Sequence, residues 1–82
     1  MSKYAPLAEY LRLQSANEIR LDFTEIETII EGPLPASAHN HREWWANDRS
    51  GHHAWATEWM DAGWMCDTVS LSEQWVRFRR GA

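Results

Sequence analysis

The chain of 82 residues has room for one domain over residues 1–82 and not for two. Its net charge of −4 argues against a general nucleic-acid coat, and its single cysteine, Cys66, excludes a disulfide framework and a cysteine-based zinc site. That lone thiol fits a reducing compartment; Met1-Ser2-Lys3-Tyr4 lacks the apolar run of a signal peptide, and no stretch approaches the ~18 apolar residues a bilayer requires, so the expected location is cytoplasmic.

Ala5 to Leu13 reads as a short amphipathic helix, with Tyr4, Leu7, Ala8 and Leu11 at helical spacing and Glu9 and Arg12 on the wet side. Gln14-Ser15-Ala16-Asn17 ends it. Glu18 to Phe23 alternates: Ile19, Leu21 and Phe23 point one way, Glu18, Arg20 and Asp22 the other, as in a half-buried strand. A second helix starts at Thr24, where Thr24-x-x-Glu27 has the spacing of a capping box. Ile26, Ile29 and Ile30 form its buried stripe, and Gly32 with Pro33 stops it.

Pro35 opens a short helical segment through Ser37, Ala38 and His41, followed by Trp44-Trp45 and the turn chemistry of Asn47-Asp48-Arg49-Ser50-Gly51. His52 to Ala62 is the next predicted helix, with Trp55, Ala56, Trp59 and Met60 on one face. Gly63 ends it. Trp64 to Leu71 and Trp75 to Arg80 form a hairpin around Ser72-Glu73-Gln74, with Val69 and Leu71 on one face of its first strand and Val76 and Phe78 on one face of its second. The expected fold is α+β. The order helix, strand, helix, helix, strand, strand is that of a winged helix, with the hairpin as wing and residues 52–62 where a recognition helix sits.

Phe23-Thr24-Glu25-Ile26-Glu27, Leu34-Pro35-x-Ser37-Ala38, Trp44-Trp45-x-Asn47, Ala62-Gly63-Trp64 and Val76-x-Phe78-x-Arg80 follow one another along nearly the whole chain. These blocks resemble an uncharacterised bacterial domain family with the pattern FxEIExIL…LPxSA…WWxN…AGWxV…VxFxR. The resemblance implies a small module found alone or beside nuclease-type domains, in defence and mobile-element settings. It carries over no catalytic residue.

Catalytic and metal chemistry find little footing. His39-x-His41 and His52-His53 lack the spacing of a tetrahedral zinc site, so no metal or other cofactor is expected. Ser37 beside His39 and His41 has neither a nucleophile elbow nor an acid partner. Cys66 stands next to Asp67, which raises its pKa rather than activating it. The chain is expected not to be an enzyme.

Binding chemistry is better represented. Trp44-Trp45-Ala46-Asn47 is flanked by Arg42 and Arg49; adjacent Trp side chains diverge, so one is expected in the core and the other on a groove, while Asn47 suits a base edge or a turn. Arg77 and Arg79 share a strand face with Trp75, and Arg80 extends that basic edge. The 52–62 helix presents His53, Thr57, Glu58 and Asp61, and so offers guanine and phosphate no basic partner. Two functions follow as expectations. The first is nucleic-acid binding, DNA in particular, through Trp75, Arg77, Arg79 and Arg80 with Arg42, Asn47 and Arg49. The other is an acidic protein-binding inhibitor or adaptor of a nuclease-type or CRISPR-type complex, using the surplus Trp and the carboxylates Glu25, Glu27 and Glu31.

Overall fold

Alternation in β1 (Glu18–Asp22) buries Leu21 and exposes Glu18, Arg20 and Asp22, and the strand runs without a loop into α2 (Phe23–Ile30). These elements belong to a computed structural model that describes residues 3–48 and 54–81. Before them comes α1 (Ala5–Arg12), which has proline in its first turn and buries Leu7, Ala8 and Leu11. After α2 come α3 (Ala36–Asn40), a 3-10 turn over Arg42–Trp45, α4 (Ala56–Asp61), β2 (Trp64–Ser70) and β3 (Trp75–Arg80). The fold is α+β, as expected.

The start of α2 lies earlier than the sequence pattern suggested. Asp22, with φ −71° and ψ 154°, is the N-cap, and its backbone N–H donates to Glu25 Oε1 at 2.8 Å. The capping box is therefore Asp22/Glu25 and not Thr24/Glu27. The Glu27 carboxylate instead accepts the Leu34 N–H at 2.7 Å and so holds the segment leaving the helix. The left-handed cap is also displaced: Glu31, at φ 56°, takes it ahead of Gly32. The helix expected from His52 begins at Ala56; His52 and His53, with Arg49, lie outside the described residues.

The sheet is antiparallel in the order β1-β3-β2. Its hairpin closes through Leu71–Gln74, with Gln74 at φ 60°. Between Cys66 and Thr68 the β2 register against β3 slips at a bulge, leaving Asp67 extra. One face of the sheet gives Leu21, Trp64, Val69, Val76 and Phe78 to the core, where they join Leu7 and Leu11 of α1, Ile26 and Ile30 of α2 and Trp59 of α4.

Both Trp44 and Trp45 are buried in the core, which corrects the expectation that one of them would stand exposed for a ligand. The tight turn aims both rings inward and crosses them at 71° with centroids 4.7 Å apart. Trp45 then stacks between Phe23 at 5.2 Å and Trp59 at 6.1 Å, while Trp44 stacks on Trp55 at 4.9 Å. Trp45 Nε1 donates to the Ala38 carbonyl and Trp55 Nε1 to the Trp44 carbonyl, so these indoles are both packed and satisfied. Among the described residues, no helix is long and apolar enough to cross a membrane.

Candidate functional site

The second face of the sheet carries a mixed-charge surface. Strand alternation puts Glu18, Arg20 and Asp22 of β1 there, beside Trp75, Arg77 and Arg79 of β3 and Met65, Thr68 and Ser70 of β2. The register sets Glu18 opposite Arg79, Arg20 opposite Arg77 and Asp22 opposite Trp75. Two arginines facing each other repel. They part diagonally: Arg20 lays its guanidinium over the Trp75 ring, 5.0 Å from the centroid. Arg77 turns the other way, to Asp67 at 2.9 Å, with Glu18 at 3.5 Å and the Thr68 hydroxyl at 3.1 Å.

The bulge is what delivers Asp67 to this surface. Its carboxylate also lies 3.8 Å from Arg79, whose side chain is 62 % exposed. Trp75 stays half-buried, its Nε1 donating to Glu73 Oε1 at 2.9 Å. Trp75, Arg77 and Arg79 are thus brought together as the sequence suggested. Arg20 and Asp67 complete the group and were missed. The alternation of β1 already placed Arg20 outward, so that signal was present, whereas nothing local announces a bulge at Asp67.

The other residues singled out in the sequence go elsewhere. Arg80 turns away from Trp75, donating to the carbonyls of Gln14 and Ala16 while its guanidinium sits 4.6 Å from the Trp64 ring centroid. It clasps the α1–β1 connection to the sheet. Arg42 donates to the Val69 carbonyl at 2.7 Å. Asn47 donates to the Cys66 carbonyl at 2.9 Å, and its own Oδ1 accepts from the Cys66 N–H at 2.8 Å and from Trp59 Nε1 at 3.0 Å. Both therefore serve the outer edge of β2. Arg49 is outside the described residues.

Beside that edge runs an open groove of about 430 Å³, walled by Arg42, Trp45, Asn47, Cys66 and Val69. Cys66 is its one thiol, and burial, reinforced by Asp67 and opposed by Arg42, pushes it up to about 12. Such a thiol is a poor nucleophile at neutral pH. His39 packs edge-to-face on Phe23 at 5.2 Å, and exposed His41 puts Nδ1 3.8 Å from Glu43 Oε1. Among the described residues, no three His, Cys, Asp or Glu side chains gather as a metal site would require.

A family model for a domain of unknown function, DUF7662, matches residues 4–81. The chain belongs to that family. No curated protein and no solved structure matches it.

Proposed function

We propose that this domain is a non-enzymatic binding module of winged-helix-like architecture whose ligand is a protein, met by the open face of the sheet around Trp75. The observation that carries this reading is the internal use of its arginines. Arg77 is paired with Asp67 and Glu18, and Arg42 and Arg80 are tied to backbone carbonyls. Phosphate recognition needs guanidinium and ammonium groups that can exchange counterions for the ligand. A surface whose charges already alternate favours a protein partner of matching pattern. A half-buried Trp among arginines also has the composition of an interface hot spot.

The element order and the sheet order β1-β3-β2 support the winged-helix comparison. In that comparison α4 takes the recognition position, and it has six residues with Thr57, Glu58 and Asp61 among them, no basic side chain included. The high-pKa Cys66 favours binding over catalysis. The family resemblance adds a setting: a partner from a nuclease-type complex, for which an acidic module of net charge −4 has the complementary sign.

A nucleic-acid reading keeps one specific support, the stacking of Arg20 on Trp75 with exposed Arg79 on the same face. Affinity capture from the source cell separates the two, using wild type and Trp75→Ala with and without nuclease treatment. The protein reading expects a partner retained after nuclease treatment and lost with Trp75→Ala. Capture abolished by nuclease, with affinity falling steeply as salt rises, would transfer the function to nucleic acid.

A further inference from the structure

The two edges of the sheet are finished in different ways. On β2, Asn47 occupies the outward N–H and carbonyl of Cys66, and Arg42 occupies the Val69 carbonyl. On β1, the Phe23 N–H donates to the Gln74 carbonyl at 2.9 Å, which fixes the alternation. Ile19 and Leu21 turn their backbone groups toward β3, and Glu18, Arg20 and Asp22 turn theirs away. Glu25 holds the Asp22 N–H. The outward groups of Glu18 and Arg20 make no bond among the described residues. An edge left in this condition is a template for another strand.

We propose that the strand is supplied by a second copy of this chain, pairing antiparallel along β1 about a two-fold axis at Ile19. The charges select both the occupant and the register. An axis at Ile19 sets Glu18 opposite Arg20 of the second copy, and Arg20 opposite Glu18 of the second copy, so both outward pairs exchange backbone bonds and carry opposite charge. An axis at Arg20 would set two arginines face to face. An axis at Leu21 would match Arg20 with Asp22, but the Asp22 N–H is already held by Glu25. Within one chain Arg20 faces the like charge of Arg77, so the Glu18 carboxylate of the second copy brings it a counter-charge.

The apolar side of this edge suits the same occupant. Ile19 is half-buried there and would meet Ile19 of the second copy. An adjoining groove of about 240 Å³ is walled by Tyr10, Leu21 and Ile29, and Leu13 stands 80 % exposed at the end of α1. The pairing joins two three-stranded sheets into one and repeats the Trp75 face on both halves. It does not rest on the identity of any other partner.

The test is charge complementation read by light scattering and sedimentation. Wild type should have twice the chain mass, and Glu18→Arg and Arg20→Glu should each be monomeric. Mixing the two variants should restore the dimer, because both pairs across the axis then carry opposite charge again. A monomeric wild type at the highest concentration reached, or single variants that stay dimeric, would overturn the proposal. Amide exchange of the wild type guards against variants that fail to fold. The Glu18 and Arg20 amides should become protected as concentration rises, and rapid exchange at all concentrations would equally overturn it.

Discussion

The carboxamide of Asn47 grips Cys66 by both of its backbone groups, donating at 2.9 Å to the carbonyl and accepting at 2.8 Å from the N–H. That is the bonding a residue on a neighbouring strand would provide, made by one side chain. It caps the outer edge of β2 at Cys66, and the same oxygen holds the Trp59 indole in the core.

Asn47→Ala should therefore destabilise well beyond an ordinary loop substitution. Cys66 and Trp59 would be left with unpaired, part-buried polar groups, for a loss of roughly 2–3 kcal/mol. Asn47→Asp keeps the acceptor and loses the donor, and should fall between wild type and alanine. Urea unfolding midpoints at constant m-value give the comparison. A loss under about 0.5 kcal/mol for Asn47→Ala would reduce the grip to a solvent-replaceable contact.

The displaced helix cap yields a paired prediction. Asp22→Ala should cost about 1 kcal/mol, and Thr24→Ala only a few tenths, since Thr24 lies inside the first turn rather than at the cap. Equal effects of the two substitutions would contradict a helix starting at Phe23.

Two tryptophans should separate stability from recognition. Trp45→Ala removes a ring stacked between Phe23 and Trp59 and should cost about 3–5 kcal/mol, enough to unfold much of the population. Trp75→Ala gives up the stacking with Arg20 on the open face and should cost about 1 kcal/mol. Thermal melts read both, and Trp75→Ala must stay folded to serve in the capture experiment.

Cys66 sets an alkaline limit. Its thiol is pushed up from 9.0 to about 12, foremost by burial, so the unfolded chain loses this proton at lower pH than the folded one. The contribution is fully present below pH 9.0 and is lost as pH rises toward 12. Cys66→Ala should flatten the decline of stability over that window. The thiol of the folded wild type should also react slowly with iodoacetamide at neutral pH and quickly after urea unfolding.

How far the sequence could be read depended on whether the deciding signal was local. Alternation in Glu18–Phe23 and in Trp75–Arg80 is a backbone period; the second strand stands where it put it, and the first ends one residue early, at Asp22, because Phe23 opens α2. The start of α2 was ambiguous for a physical reason. Asp22-x-x-Glu25 and Thr24-x-x-Glu27 have the same cap spacing, and the choice fell to β3, whose adjoining Gln74 carbonyl takes the Phe23 N–H and fixes the end of the strand. Trp44 and Trp45 suggest diverging roles because consecutive side chains point in different directions. In a 3-10 turn wrapped by Phe23, Trp55 and Trp59, both find packing partners.

The candidate site divides along the same line. Trp75, Arg77 and Arg79 share a face by strand periodicity alone. The use of Arg42, Asn47 and Arg80 to hold backbone groups on distant elements is tertiary; Arg80 bonds carbonyls 66 and 64 positions away in the chain. Composition makes these residues look like ligand contacts until their partners are known.

The supernumerary Asp67 changes the parity of β2. Ahead of it the even-numbered residues Trp64 and Cys66 face inward; beyond it the odd-numbered Val69 does. Excising that single aspartate would therefore restore plain alternation: Cys66, still opposite Phe78, would directly precede Thr68, and Trp64 and Cys66 would keep their inward faces. The loss would fall on the open face, where Arg77 and Arg79 would forfeit the carboxylate they share. A bulge-less relative should thus keep the same core and carry a more basic sheet face, whereas removing any regularly paired residue of β2 would turn the part of the strand ahead of it over.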